Sequence, residues 1–272
     1  MGVNLEGGCR VSNMREGGPI TRGTLRIWNQ IGRATGAQAI SLRIMEFGTG
    51  LSPGMRNDEC DEILYVLDSG QQTTDADRSE VSTTRGSGRF DLLIDGHHHD
   101  VSPDTGIYLR PRQTFAINNH GPDPVTLVSS QCPDPDLAPQ FVASSIEPLR
   151  DPAQADQPPI VRLADRRSQS TANRWYRVLV DDEIGSTKVT QFVGSIPPGR
   201  APDHFHNYEE VLFILKGEGR MWAGETNTPI AAGACIYLPK GQVHCVENTG
   251  EGELRLLGVF YPAGSPSVRY DV

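Results

Sequence analysis

The sequence contains one structural unit written twice, and this repeat constrains the fold more than any other feature. Residues 61–70 read DEILYVLDSG, and residues 209–219 read EEVLFILKGEG. A second pair follows in the same order, with GIYLRPRQTFAINNHG at 106–121 and CIYLPKGQVHCVENTG at 235–250. Repeats of this length predict a duplicated domain rather than a solenoid. The first copy carries extra residues between its two motifs, and we place them in the polar segment 71–88.

Short β-prone runs separated by turn residues make up both copies. Runs such as AISLRIMEF, RFDLLID, KVTQFVGSI and ELRLLGVFY have the length and composition of strands, and 29 glycines and 20 prolines punctuate the chain. We therefore predict an all-β chain with two domains packed against each other, since two small β domains in tandem have sheet edges to cover. The predicted units are an N-terminal domain (1–135), a linker rich in Pro, Ala, Asp and Gln (136–173) and a C-terminal domain (174–272).

Charge and composition exclude several classes of partner. The formal net charge is −9 without a basic run, which argues against nucleic acid and anionic membranes as partners. No stretch approaches the ~20 apolar residues of a membrane span, and the first residues lack a signal-peptide pattern. The five cysteines are odd in number and form no CxxC pair. They predict reduced thiols and a cytoplasmic location.

Candidate metal ligands are concentrated in the segment HFHNYEE (204–210). Residues two apart in a strand face the same side, so His204, His206 and Glu210 share one face and Glu209 lies on the other. We therefore expect Glu210 to be a ligand and Glu209 to face solvent or to support the ligands from outside. Downstream, the turn in PKGQVHCVEN brings a separate strand with His244 to the same place.

These residues and spacings resemble the two signature motifs of the cupin superfamily, and the duplication resembles a bicupin. The first motif is one residue off between Gly199 and His204, and the second matches at every fixed position. The resemblance implies that each half is a double-stranded β-helix, or jelly-roll barrel. It also implies that His204, His206, Glu210 and His244 hold one divalent transition metal, for which Fe, Mn, Ni, Cu and Zn all suit a mixed nitrogen and oxygen ligand set. The motif residues are Gly199, His204, His206, Glu210 and Gly217, then Gly233, Pro239, Gly241, His244 and Asn248.

The first half keeps the framework but lacks the histidines. At the four positions that correspond to the ligands in the aligned motifs it has Arg56, Asp58, Glu62 and Phe115. We therefore predict no metal there, an ion pair of Arg56 with Asp58 or Glu62, and a structural or substrate-shaping role for this half. We expect Phe115 to fill the volume that an imidazole and an ion occupy in the other barrel.

A run of three histidines, His97, His98 and His99, invites a second metal site. It follows Asp95-Gly96, which is a strong hairpin-turn signal. Consecutive residues of a strand alternate between faces, so the three imidazoles cannot converge on one ion. A solvated turn is therefore favoured over a ligand cluster.

The resemblance is closest to quercetinase-like cupin dioxygenases. It implies a metal-dependent oxidoreductase that acts on an enol- or phenol-type small molecule, with Glu210 as catalytic base on a substrate hydroxyl. The side chains that share the parity of the ligands are mostly apolar with one amide, which suits a neutral or aromatic substrate. These expected lining residues are Leu212, Ile214, Gln242 and Val246.

Two other classes of function stay open at this point. One is a non-redox isomerase, cyclase or hydrolase that uses the metal as a Lewis acid. The other is a small-ligand binding protein without turnover. Oxygen consumption separates the dioxygenase from the non-redox enzyme. A protein that only binds its ligand shows neither activity. Beyond a small-molecule substrate, the one further partner left open is a second copy of the chain in a homo-oligomer.

Overall fold

The computed structural model describes residues 2–67, 90–144, 160–171, 173–267 and 270–271. In this part of the chain the regular structure consists of β-strands and short 3-10 segments, without an α-helix, so the all-β prediction is confirmed. None of the described helical segments has the length and apolar character needed to cross a membrane. The segment 71–88, where we placed the extra residues of the first copy, lies outside the described residues.

The strands follow one another along the chain in two similar series. The first series is β1 (Val3–Asn4), β2 (Arg10–Asn13), β3 (Ile20–Arg22), β4 (Leu25–Ile31), β5 (Leu42–Phe47), β6 (Gly50–Leu51), β7 (Gly54–Arg56), β8 (Asp61–Val66), β9 (Phe90–Ile94), β10 (His97–Asp100), β11 (Thr105–Leu109), β12 (Thr114–Asn119) and β13 (Val125–Cys132). After β14 (Gln140–Val142), β15 (Ile160–Arg162) and β16 (Gln169–Thr171), the second series is β17 (Arg174–Val180), β18 (Thr190–Ile196), β19 (Gly199–Arg200), β20 (His204–Phe205), β21 (Glu209–Lys216), β22 (Glu218–Ala223), β23 (Thr226–Ala231), β24 (Ala234–Leu238), β25 (His244–Asn248), β26 (Leu254–Tyr261) and β27 (Tyr270–Asp271). The 3-10 segments are Glu6–Gly8, Arg33–Thr35, Leu163–Asp165 and Asp182–Ile184.

Two antiparallel sheets form each barrel. In the first barrel the sheets have the orders β15-β11-β8-β13-β5-β4-β3 and β10-β9-β12-β7-β14, with β6 also on β12. In the second barrel they have the orders β1-β2-β24-β21-β26-β18-β17-β16 and β23-β22-β25-β20-β27, with β19 also on β25. Corresponding strands have the same order in the two barrels, as the sequence repeat predicts.

Three apolar clusters are found within the described parts of the chain. One fills the first barrel, where Leu64 and Leu92 come from facing sheets, and one fills the second, where Leu212 and Met221 do the same. The third lies between the barrels and includes Phe213 together with residues of the first barrel. Because strands such as β8 and β21 are buried on both faces, they read as continuous hydrophobic runs rather than as an alternating pattern. The predicted packing of two barrels against each other is confirmed.

Short segments at the chain's start and middle join the sheets in an unexpected way. Strand β2 pairs with β24, so residues 3–13 extend a sheet of the second barrel although they precede the first. Strands β14 and β15, from the predicted linker, pair with β7 and β11 of the first barrel. These pairings cross the boundaries expected at 135 and 174, and the division into 1–135, 136–173 and 174–272 stays a prediction.

Candidate metal centre

Three histidines of the second barrel converge at one point of its interior. His204 lies on β20 directly opposite His244 on β25, and His206 follows β20 by one residue. Their ligand nitrogens all lie within 4.8 Å of one another. The ring centroids are 4.6 Å apart for His204 and His244, and 5.2 Å apart for His206 and His244. Two strands and one turn thus place three imidazoles at the spacing that a single ion requires.

Backbone carbonyls fix the orientation of two of these rings. His204 Nδ1 lies 3.0 Å from the carbonyl oxygen of Pro202, and His244 Nδ1 lies 2.8 Å from that of Gln242. A carbonyl oxygen only accepts, so each Nδ1 carries the proton and each Nε2 keeps its lone pair. This is the tautomer that binds a metal through Nε2, and a hydrogen bond from the other ring nitrogen is typical of metal-ligating histidines.

Tyr208 orients the third ring. Its phenol ring stacks on His206 at 4.7 Å between centroids, with 10° between the planes, and also stacks on Phe260 at 4.4 Å. Tyr208 shares the parity of the ligands in the sequence. The two-residue period that indicated His204, His206 and Glu210 therefore also pointed to Tyr208, whose role the sequence reasoning missed.

Glu210 lies beside this group, with its Oε2 atom 3.6 Å from Nε2 of His206. Burial raises the pKa of the Glu210 carboxyl to about 8. Burial, and next the His204 imidazole, lower the pKa of His244 to about 3. Three imidazoles next to a buried carboxyl that resists ionisation form a donor set that a divalent cation stabilises, because the cation compensates the buried carboxylate. The residues present therefore fit one metal ion, and the assignment of the four ligands stays a prediction.

Glu209 faces the other barrel, so of the two alternatives expected for it, exposure to solvent is wrong. Its side chain is 7% exposed. One carboxylate oxygen accepts from the backbone N–H of Gln38 at 2.8 Å and from the hydroxyl of Tyr237, and the other accepts from the N–H of Ala39 at 2.6 Å. The alternation along the strand correctly predicted that Glu209 points away from Glu210. It could not show that the first barrel covers the outer face of β21.

A cavity of about 120 Å³ adjoins the histidines. Of the four lining residues expected from the sequence, Leu212 and Val246 line it, whereas Ile214 and Gln242 do not. The sequence reasoning missed the contributions of β17 and β18, whose residues approach the site from distant parts of the chain. The further lining side chains are mostly apolar or aromatic: Trp175, Tyr176, Phe192, Ile196, Ala201, Tyr208 and Leu256, with Arg174, Ser195 and Ser267 as polar members.

In the first barrel, strand register corrects one of the predicted correspondences. Phe115 lies opposite Met55, as His244 lies opposite His204 in the second barrel. Met55, not Arg56, therefore occupies the position of His204. Arg56 is 40% exposed and forms an ion pair with Asp58 at 2.5 Å, which confirms one of the two predicted pairs. Asp58 is also exposed and is not an interior group.

The carboxylate of the first barrel has an internal cation in place of a metal. Glu62 lies opposite Leu109 as Glu210 lies opposite Leu238, so the two glutamates correspond. Glu62 forms a buried ion pair with Arg43 at 2.5 Å, and not with Arg56. The guanidinium supplies the positive charge, and the buried Phe115 ring fills the interior as expected.

The three consecutive histidines lie on β10 and alternate between its faces. His98 is 54% exposed and lies 3.5 Å from Asp91, which also contacts His120 at 2.9 Å. His97 and His99 are partly buried on the opposite face, so the description as solvated fits only His98. Their alternation prevents the three from sharing one ion, as the sequence indicated.

Comparison with known proteins identifies the family. The family described as "Cupin domain" matches residues 192–260, which include all four predicted ligands. The chain belongs to the cupin superfamily. Variants of Bacillus subtilis oxalate decarboxylase superpose on 96% of the chain and 79% of their own, with a TM-score of 0.73 at 12% identity. This likeness spans both barrels and shows the bicupin fold.

The sequence relatives match shorter stretches of the chain, between 24% and 31% of its length. Auxin-binding protein 1 of Arabidopsis thaliana is 34% identical over 83 residues, and the oxalate-binding protein of Thermotoga maritima is 38% identical over 66 residues. The chain spans 42% of the first protein and 54% of the second. An uncharacterized protein of Aquifex aeolicus is 32% identical over 87 residues, which are 70% of its length.

Proposed function

We propose that this bicupin is a metal-dependent enzyme that acts on a small organic molecule, and that it is a dioxygenase of an enol- or phenol-type substrate. The observation that carries the proposal is the convergence of His204, His206 and His244 beside the buried Glu210, at one end of a mostly apolar cavity. These residues would hold one divalent ion, which would supply Lewis-acid or redox chemistry next to the cavity.

In this proposal the three imidazoles and Glu210 hold the ion in the second barrel. The bound metal supplies Lewis acidity and, for a redox-active ion, electron exchange with oxygen. Mn(II) centres are described for the Bacillus subtilis oxalate decarboxylase, which makes manganese one of the candidate ions here.

Each of the chain's own groups has a defined part in such a reaction. The Glu210 carboxylate would accept the proton that a substrate hydroxyl loses, since it is the carboxylate that lines the cavity beside the histidines. The carbonyls of Pro202 and Gln242 keep the histidine lone pairs directed at one point. The apolar walls exclude bulk water from the substrate's reacting end.

The second candidate is a redox-neutral enzyme that uses the metal as a Lewis acid, either on a small carboxylic acid or as an isomerase, cyclase or hydrolase. The likeness to oxalate decarboxylase and to an oxalate-binding protein favours it. The mostly apolar walls disfavour a dianion such as oxalate, because beyond Arg174, the serines and the ion they offer it few polar contacts. A binding protein without turnover is the third candidate, since some of the relatives are named for binding.

Metal analysis combined with oxygen measurements tests the proposal. The purified protein is assayed for bound metal, reconstituted with Fe(II), Mn(II), Ni(II), Cu(II) or Zn(II), and offered a panel of enols, phenols and small carboxylic acids. Substrate-dependent oxygen uptake that Glu210→Ala abolishes supports the dioxygenase. Turnover under argon contradicts it in favour of Lewis-acid chemistry, and binding without turnover favours a binding protein.

A further inference from the structure

At one position of the barrel interior, the first barrel has a large side chain where the second barrel has a glycine that lines the cavity. Leu127 lies opposite Met45 in the first barrel, and Leu256 lies opposite Gly194 in the second. Both leucines occupy corresponding places on β13 and β26, because Leu127 also faces Val66 and Leu256 also faces Ile214. Gly194 thus occupies the position of Met45, whose side chain is fully buried in the first barrel's core.

The absence of a side chain at Gly194 opens space in the cavity. Gly194 lies within β18 and lines the cavity. A Cβ atom added there would lie 3.4 Å from a ring carbon of Phe192 and 3.5 Å from Leu256, so an alanine fits with slight adjustment. A longer side chain would have to extend between these two residues into the cavity. The backbone conformation at residue 194 therefore does not require a glycine. What the glycine provides is space in the cavity.

Aromatic side chains connect this opening with the histidines: Phe192 and Tyr208 line the cavity, and the buried Phe260 lies between them. Phe192 lies 5.6 Å from Phe260, which stacks on Tyr208, which in turn stacks on His206. Phe192 can take its position because Gly258 lies beneath it: a Cβ at residue 258 would lie 2.2 Å from the Phe192 ring. In the first barrel the residue corresponding to Phe192 is Arg43, as strand register shows. Flat surfaces of this kind favour stacked or edge contacts with another planar group.

We propose that Gly194 is a specificity-determining residue that makes room for a planar apolar group of the substrate, held between Phe192 and Leu256 while the substrate's oxygen atoms face the histidines. This inference rests on the proposed function. It narrows the substrate class to small molecules with one ring, or an enol of similar size, with oxygen on the side that faces the histidines.

The cavity volume sets the size of that group. An apolar cavity of about 150 Å³ is known to hold benzene. The cavity of about 120 Å³ beside the histidines is slightly smaller and adjoins open lining at Ser267. A single ring beside Gly194 therefore takes up all of this space, and any substituent must lie toward the cavity mouth at the exposed Ser267. A two-carbon dianion such as oxalate would not need the space that Gly194 provides.

The test uses the full chain loaded with Zn(II), which does not exchange electrons with oxygen and so keeps ligands unreacted. The probe is 4-nitrocatechol, a single-ring chelator whose visible absorption changes when its hydroxyl groups lose protons, and the comparison ligand is oxalate. Wild type, G194A and G194M are compared for zinc content, thermal unfolding and affinity for both molecules. We expect G194M to keep its zinc and bind 4-nitrocatechol at least tenfold more weakly, with G194A intermediate and oxalate affinity unchanged within about twofold.

Each other outcome has a defined meaning. Equal affinity of wild type and G194M for 4-nitrocatechol overturns the inference, and so does a wild-type protein that binds oxalate but not the catechol. If G194M loses its zinc or unfolds, the comparison uses G194A instead. A threefold loss of affinity for 4-nitrocatechol in G194A then supports the inference, and no loss refutes it. A wild-type protein that binds no metal overturns the proposed function itself, which the zinc measurement distinguishes from a failure of the Gly194 inference.

Discussion

Glu209 and Glu210 are neighbours on β21, yet the Glu209 carboxylate lies between the two barrels and the Glu210 carboxylate lies inside the second barrel. Glu209 accepts hydrogen bonds from the backbone of Gln38 and Ala39 and so connects the two barrels. Glu210 points into the second barrel, 3.6 Å from His206. One strand therefore couples the barrel interface to the candidate metal centre through adjacent residues, and the two carboxylates make separable predictions.

Removing two histidines should abolish metal binding. The protein should contain one ion per chain, and the double variant His204→Ala/His206→Ala should contain none, because two of four ligands are lost. Metal content by mass spectrometry checks this. The matched control is His97→Ala/His99→Ala, which removes two histidines of the first barrel and should leave one ion per chain. Two ions per chain in the wild type would contradict the assignment.

Glu210 should make the metal-free protein less stable at high pH. Its folded-state pKa of about 8 exceeds the usual value of 4.5, so between these pH values the folded state holds a proton that the unfolded state has lost. The stabilisation is complete below pH 4.5 and is lost as the pH rises toward 8. Relative to the wild type, the free energy of unfolding of Glu210→Gln should be higher by roughly 4 kcal/mol at pH 8 and little changed at pH 4.5.

Urea unfolding of both metal-free proteins across this pH range measures the effect. Added metal should reverse the order at pH 8, because the wild type gains a ligand-bound ion that Glu210→Gln binds weakly. Parallel pH profiles for the two proteins would show that Glu210 ionises normally in the folded state.

Glu209→Gln should destabilise the fold without changing metal content. The amide retains one acceptor oxygen where the carboxylate has two, so at least one of the three donors loses its partner. The expected cost is about 1–3 kcal/mol in the free energy of unfolding. Glu251→Gln, at an exposed turn of the second barrel, is the control and should be neutral. Loss of metal from Glu209→Gln in a folded protein would place Glu209 among the ligands.

Phe115→Ala should lower stability by roughly 3–5 kcal/mol while metal content stays at one ion per chain, because the buried ring fills the first barrel. Phe115→His should not create a tight site, since the residue opposite is Met55 and the nearby Glu62 is paired with Arg43. Thermal unfolding and metal analysis check both variants. Stoichiometric metal in the first barrel of Phe115→His would refute this account.

Arg43→Met should be among the most destabilising single changes in the first barrel. It removes the guanidinium and leaves the buried Glu62 carboxylate without its ion-pair partner, at a cost of about 3–5 kcal/mol. The double variant Arg43→Met/Glu62→Gln should recover much of that loss, because no charge remains buried. If the double variant is no more stable than Arg43→Met, the pair does not act as a charge replacement.

The sequence by itself determined the duplicated all-β architecture and the three histidines that converge. Both follow from local rules: strand propensity, a two-residue period that places His204 and His206 on one side, and motif spacing around His244. The same period also predicted that Glu209 and Glu210 point in opposite directions, which the structure confirms.

Only the tertiary structure decided which groups meet across strands that are distant in the chain. The burial of Glu209, the Arg43–Glu62 pair and the match of Gly194 with Met45 each depend on pairing or packing between separate segments. A shift of one residue in the turn after β7 moved Arg56 outside and put Met55 opposite Phe115. Local sequence cannot fix such a shift, because ladder register is set by the partner strand and by the core that both strands cover.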